Sequence, residues 1–212
     1  DFEDFVFSAM FCNEDDPVAA WRDVRKQQAK LIKKLKGADK VHIVGPDTDL
    51  TLSVKSRKFI NSDGQHNMPS GEVFCAPVET SAEGKISFDF PVCVQGREIN
   101  GVRLVFREGK VVEASADKNE DFLKAMISCD PGASRLGELG IGTNRGINKF
   151  IKMILFDEKI GGTIHLALGR APAQTKGKNK SAIHLDLIKD LRKGGAVYID
   201  GKLFQKDGRF KA

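Results

Sequence analysis

The chain has 212 residues, 41% apolar and 30% charged, enough for one sizeable core or two small ones. Glycine (21) and proline (7) are scattered and phenylalanine (14) is plentiful, which excludes collagen-like, mucin-like and extended disordered chains. Lys and Arg (34) outnumber Asp and Glu (29), a diffuse net charge of +5 that favours anionic surfaces without naming one, and no apolar run approaches the roughly 20 residues of a membrane helix.

The acidic run Glu14, Asp15, Asp16 followed by Pro17 marks a helix start. Ala20, Val24, Gln28, Leu31 and Leu35 then recur at helical spacing over 17–36, with Lys and Arg on the other face and Gly37 as the stop. Short strands are predicted at 41–44 and 49–54, where Leu50, Leu52 and Val54 alternate with polar residues. Residues 61–71 read as a loop, with turn formers at Ser62, Asp63, Gly64 and at Met68, Pro69, Ser70, Gly71. Further strands are predicted at 72–76, 85–90 and 92–95, and a hairpin at 102–106 and 111–114 around Gly109. Residues 119–128 and 147–155 read as helices, with a glycine-rich stretch at 139–146 between them. A buried strand is predicted at 163–168, a strand or helix at 181–191, and a closing hairpin at 196–199 and 202–205 across Asp200 and Gly201. Strands outnumber helices without alternating regularly with them, which favours α+β with a mixed or antiparallel sheet and flanking helices over a doubly wound sheet.

Cys12, Cys75, Cys93 and Cys129 lie far apart and form no C-x-x-C pair, so free thiols in a reducing cytoplasm are expected rather than a disulfide or thiolate–zinc framework. Asp1 is not an initiator Met, and the chain is expected to be part of something longer.

Two histidines stand in unusual company. His165 lies inside the apolar run Thr163 to Leu168, flanked by glycines, and a buried imidazole there needs a partner. His184 and Asp186 form an H-x-D pair; in an extended segment both point to one face, where imidazole and carboxylate can converge on an ion. Glu72 follows a tight turn and opens the apolar strand Val73, Phe74. Glu138 is wrapped in glycine and aliphatic residues, with Arg135 the only cation close in sequence. Each alone is more often an ordinary structural residue. Two Glu, two His and one Asp together have the donor types of a two-metal hydrolase. His42 and His66 carry no local signal.

The stretches TDLTLSVKSRKFINSDGQHNMPSGEVFCAP, LGELGIGTN, ILFDEKIGGTIHLALGRA and GKNKSAIHLD resemble the thermophilic metallo-aminopeptidases of the aminopeptidase T and S group, from about Val41 to Gly201. The resemblance implies the C-terminal domain of that fold, with 1–40 an N-terminal segment carrying the amphipathic helix and 41–212 the metal-binding catalytic domain. The family's N-terminal domain is expected to be absent here. Further implications are a co-catalytic pair of divalent ions (zinc or cobalt, with magnesium or manganese as alternatives) and release of single N-terminal residues from a peptide substrate. By motif position, Glu72, Glu138, His165, His184 and Asp186 become metal ligands. Asn67, Lys159 and Arg170 are candidate helpers, and no catalytic base is assigned. The family also carries a Tyr shortly after its first His; here that position is Pro172, and the single tyrosine is Tyr198. A cytoplasmic enzyme with no nucleic-acid or membrane partner, able to form a homodimer, is expected.

Two rival readings remain. The chain is either an active aminopeptidase or a catalytically weakened or silent module, used for peptide binding or dimerisation, because of Pro172 and the missing half. A nucleic-acid binder would rest on the lysines at 176–180, which the family-like context places in a solvated loop.

Overall fold

Alternation of apolar residues along the strands decides the layers of this molecule, as seen in a computed structural model that describes residues 1–211. Two helices come first, α1 (Phe2–Ala9) and α2 (Pro17–Leu35). Nine strands follow: β1 (Lys40–Gly45), β2 (Thr48–Ser53), β3 (Ile60–Ser62), β4 (Glu72–Cys75), β5 (Glu83–Ser87), β6 (Val92–Val94), β7 (Arg97–Ile99), β8 (Arg103–Arg107) and β9 (Lys110–Ser115). Then come α3 (Glu120–Ile127), β10 (Leu136–Gly142), α4 (Ile154–Asp157), β11 (Thr163–Gly169), β12 (His184–Asp190), β13 (Ala196–Ile199), β14 (Lys202–Lys206) and β15 (Arg209–Phe210).

The strands form an eight-stranded sheet, ordered β15-β14-β13-β1-β2-β5-β8-β9, a five-stranded sheet, β12-β11-β10-β4-β3, and the ribbon β6-β7. Every strand pairing in them is antiparallel, so the α+β expectation holds, with antiparallel sheets and flanking helices. One apolar cluster joins the two larger sheets. Val41, Ile43, Leu50 and Leu52 enter it from one side; Val73, Leu139, Ile141, Ile164, Leu166 and Leu187 enter from the other. Because side chains alternate across a strand, the five-stranded sheet commits one face to this core and turns the other away from it, outward in the sheet although still buried along β10 and β11.

Helix α2 starts as its sequence predicts. The Asp16 carboxylate accepts from the Ala19 amide at 2.9 Å, Pro17 occupies the first turn, and Gly37 takes a φ of +82° just past the end. Its Leu31, Ile32 and Leu35 pack on the main core. Helix α1 has no counterpart in the sequence reading. It is capped by Asp1, whose side chain accepts from the Asp4 amide at 3.2 Å, and it buries Phe5 and Ala9 against Ile147, Phe156 and Ile160.

Three segments differ from expectation. The helix predicted over 147–155 contracts to the single turn α4. Ile147 is instead pinned in the second apolar cluster, and the Ile151 amide donates to the Asp157 carboxylate at 2.9 Å rather than along a helix. The glycine-rich stretch enters the fully buried strand β10. The predicted loop over 61–71 gives up its first residues to β3. The ambiguous segment at 181–191 is resolved as strand β12, and the closing hairpin forms across Asp200 and Gly201, which take φ of +48° and +78°.

Candidate metal centre

Strand register alone gathers the five singled-out side chains. Glu72 pairs with Gly142 between β4 and β10, and Gly140 with His165 between β10 and β11. Ala167 stands opposite Glu138 on one side and Asp186 on the other, and Gly169 stands opposite His184. Each of these positions is out of phase with the core residues Val73, Leu139, Ile141, Ile164, Leu166 and Leu187. All five side chains therefore project from the outward face of the same sheet.

Glycines make that face usable. Gly140 leaves the space that the His165 ring occupies, since a Cβ there would lie 2.0 Å from Nε2 and Cε1. Gly71, with φ of +116°, brings the chain within reach of Asn144 and so starts β4 with Glu72 at its mouth; a Cβ on Gly71 would lie 2.6 Å from that of Asn144. The Gln28 amide, reaching over from α2, donates to the carbonyls of Ser62 and Glu72 (both 3.1 Å) and to the Thr143 hydroxyl (2.9 Å).

The side chains form a continuous chain of contacts. His165 Nε2 lies 3.3 Å from Glu72 Oε2 and 3.4 Å from Glu138 Oε1. The second oxygen of Glu138 faces the other imidazole, with His184 Nε2 3.6 Å from Oε2, and His184 Nε2 is 3.4 Å from Asp186 Oδ1. Glu138 thus stands between two histidines, one to each carboxylate oxygen. Each imidazole is held from behind: His165 Nδ1 donates to the Glu158 carbonyl at 3.0 Å, and His184 Nδ1 donates to the Arg170 carbonyl at 2.7 Å. A carbonyl only accepts, so each Nδ1 carries a proton and each Nε2 is directed at the carboxylates.

Burial is deep on one side and looser on the other. The side chains of Glu72, Glu138 and His165 are 8%, 8% and 1% exposed, against 27% for His184. Burial lifts the Glu72 carboxyl, and Glu158 and Glu138 add to this, while His165 and Lys159 pull it back; it settles at about 7. Burial works to lower the pKa of His165, but the Glu138 hydrogen bond and the charges of Glu72, Glu158 and Asp186 outweigh it and carry it to about 10. His184 rises to about 9 against the same opposition, through Asp186, the Arg170 carbonyl and Glu138. Burial raises Asp186, yet the adjacent His184 and the charges of His165 and Lys159 leave it below its ordinary value.

Two residues next to each other complete the surroundings. The Lys159 side chain is 0% exposed; its ammonium contacts Glu158 Oε1 and lies 3.6 Å from Glu72 Oε1. Glu158 has no local sequence signal of its own, and the bond from His165 to its carbonyl is what places this turn beside the imidazole. Of the other candidates, Asn67 is exposed in its loop and Arg170 contributes its carbonyl rather than its side chain. Tyr198 sits on β13 of the other sheet, paired with His42, and Pro172 precedes the short 3-10 turn Ala173–Thr175. His42 bonds Asp49 at 2.8 Å on that other sheet. The lysines at 176–180 are exposed in the β11–β12 connection, where Asn179 ties the loop to the Gly132 and Gly169 carbonyls.

The donors suit a cation. Glu72 Oε2 and Asp186 Oδ1 are buried without a hydrogen-bond partner, and both face the cluster. Glu72, Glu138 and His165 present ligand atoms within 4.8 Å of one another, as do Glu158, His165 and Asp186. Carboxylate oxygens with imidazole nitrogens are donors that zinc and cobalt accept.

The chain matches the family described as thermophilic metalloprotease (M29) over residues 1–210. It is 31% identical to aminopeptidase PepS of Streptococcus thermophilus, covering 86% of this chain and 51% of that protein. It is also 31% identical to aminopeptidase T of Thermus aquaticus, covering 85% and 50%. The chain spans about half the length of the curated relatives it matches. Its fold superposes on wild-type AmpT from Thermus thermophilus with a TM-score of 0.85 and 24% identity, over 98% of this chain and 57% of that one. It also superposes on 2,5-dihydroxypyridine dioxygenase from Pseudomonas putida KT2440 with a TM-score of 0.69 and 19% identity, over 89% and 60%. A peptidase and a dioxygenase sharing this scaffold show that fold alone does not choose the chemistry. The match along nearly the whole sequence does choose the lineage: this chain belongs to the thermophilic metalloprotease family.

Proposed function

We propose that this chain is a metal-dependent aminopeptidase acting on peptides with a free N-terminus, through two divalent ions (zinc or cobalt) held by Glu72, Glu138, His165, His184 and Asp186. The observation that carries the reading is Glu138, with one carboxylate oxygen toward His165 and the other toward His184. Glu138 would hold ions together with Glu72 and His165 on one side and with His184 and Asp186 on the other. The identity of the relatives supports the peptidase chemistry.

Ions bound there would supply Lewis acidity for the scissile carbonyl and lower the pKa of bound water toward about 7. The chain's own residues do the rest. The Glu158 and Arg170 carbonyls hold the two Nδ1 protons, so both imidazoles keep Nε2 for ligation. Glu72, Glu138, Glu158 and Asp186 together would offset the charge of two divalent ions held there, with Lys159 neutralising part of the same carboxylate cluster.

A second reading, a weakened or silent module for peptide binding or dimer contact, draws on Pro172 at the family's tyrosine position and on the half-length match. Elemental analysis of the purified chain, with turnover of leucyl-p-nitroanilide in cobalt or zinc, separates the two. The enzyme reading expects two ions per chain and metal-dependent turnover that Glu138→Ala abolishes. Two bound ions with no turnover favour the silent module, and no bound ion sinks both metal readings.

A further inference from the structure

Ile188 lies on β12 two residues past Asp186 and stands opposite His165 across the β11–β12 ladder, so it shares the outward face with the candidate ligands. It is 3% exposed, yet it belongs to neither apolar cluster formed by the described residues. Beside it is a cavity walled by two loops. Phe90, from the β5–β6 connection, and Phe150, from the β10–α4 connection, stack with ring centroids 4.7 Å apart and planes at 15°. With Val92, Asp157, Asp186 and Ile188 they line a cavity of about 20 Å3, room for a group of methyl or water size.

Both walls are anchored to the elements that carry the site. The Asp89 amide donates to the Ile188 carbonyl at 3.2 Å, and the Asp190 amide donates back to the Asp89 carboxylate at 2.8 Å, along the edge of β12. The ammonium of Lys189, whose side chain is fully buried, lies 3.1 Å from the same carboxylate. On the other wall the Ile151 amide, one residue past Phe150, donates to Asp157 at 2.9 Å. The charged groups at the cavity are therefore already engaged, Asp157 with backbone amides and Lys152 with Glu98. What remains for a ligand is a short apolar recess with a candidate metal ligand in its wall.

We propose that this recess receives the side chain of the substrate's N-terminal residue, and that it takes a small aliphatic side chain, alanine in preference to leucine. The inference rests on the aminopeptidase reading above and adds a specificity to it. In a substrate of that class the first α-carbon lies between the free amine and the scissile carbonyl, so its side chain starts next to the reacting group. Ile188 and Phe90 limit the length that fits, because both belong to walls fixed by hydrogen bonds, and a longer side chain meets packed atoms.

Alanyl- and leucyl-p-nitroanilide, turned over by the cobalt-loaded chain, test this through the ratio of their kcat/KM values. A ratio cancels differences in folded or metal-loaded fraction between preparations. The wild type is expected to favour the alanyl substrate by about tenfold or more, and Ile188→Ala to move the ratio toward leucyl by about tenfold, the scale on which methylenes are discriminated in an apolar pocket. Phe90→Ala is expected to move it the same way, and it decides should Ile188→Ala fail to fold. A wild type that favours the leucyl substrate, or a ratio within about twofold of wild type in whichever of these variants folds, overturns the proposal. Absence of turnover of both substrates by the metal-loaded wild type overturns the active-enzyme reading, a result distinct from these. Binding then decides the recess: L-alaninamide is expected to shift the Ile188 methyl resonances of the zinc-loaded chain, and unshifted methyls overturn it as a side-chain site.

Discussion

Gly140 and His165 stand side by side across the β10–β11 ladder, and a Cβ on residue 140 would fall 2.0 Å from the imidazole. The ring occupies the volume that any other residue would claim. Strand β10 therefore pairs a glycine, poor in intrinsic strand preference, with the least exposed ligand candidate of the neighbouring strand.

Gly140→Ala is expected to push the imidazole off its carboxylates or spread the strands. Overpacking of this kind costs about 1–3 kcal/mol. Urea unfolding reads the stability, and a cobalt titration reads the site. Stoichiometry and stability both at wild-type values would show that the ring has room to move.

Gln28→Ala tests the link from helix α2 to the site. One buried amide serves the carbonyls of Ser62 and Glu72 and the Thr143 hydroxyl, and its loss removes these three bonds, although the Ser62 carbonyl keeps the Gly71 amide as a donor. The expected cost is about 1–3 kcal/mol, seen as a lower urea midpoint with an unchanged slope. A midpoint within error of wild type would contradict it.

The metal-free chain should lose stability as pH rises. His165 and His184 titrate at about 10 and about 9 in the folded state against an ordinary 6.5, so between these values the folded state holds protons that the unfolded state has released. Their contribution is complete below about 6.5 and vanishes as pH climbs through 9 and then 10. Glu72, lifted to about 7 from 4.5, has the same sign in its own lower window. Asp186 has the opposite sign, with stability present above its ordinary 3.8 and lost as pH falls through its lower folded value. Urea midpoints from pH 7 to 10, which should fall for the metal-free chain and stay nearly flat with cobalt bound, measure this. Proton release on metal addition at pH 7, read by calorimetry in buffers of different ionisation enthalpy, is the companion observation.

Pro172→Tyr addresses the departure from the family pattern. Pro172 has an extended backbone, φ −62° and ψ 128°, which tyrosine adopts freely, and lies two residues past the carbonyl that orients His184. A phenol there is expected to raise kcat on leucyl-p-nitroanilide, by up to about a hundredfold if it donates to the developing oxyanion, with little change in KM. Unchanged kcat would remove Pro172 as the explanation for any weak activity.

Local patterns made several parts readable. The alternation in β2, the capping run before α2, the apolar run of β11 and the glycine turn between β13 and β14 are each settled within a few residues of chain. The H-x-D pair needed only an extended backbone to place His184 and Asp186 on one face, and β12 supplies it. The local surroundings of Glu72 and Glu138 do not distinguish them from structural carboxylates, and family resemblance is what singles them out. The helix expected at 147–155 fails because its amides are taken by Asp157 and its apolar residues by α1, partners that no local window contains.

Amino-acid order by itself therefore determined the class of fold, most of the strands and the kinds of donor atom this protein carries, since those depend on neighbours along the chain. Tertiary structure alone decided that β10 is a strand, that one sheet face collects all five side chains, and that Glu158 and Lys159 lie among them. The reason is that antiparallel register is a long-range property: it fixes which residues from distant segments share a face, and no spacing within one segment encodes it.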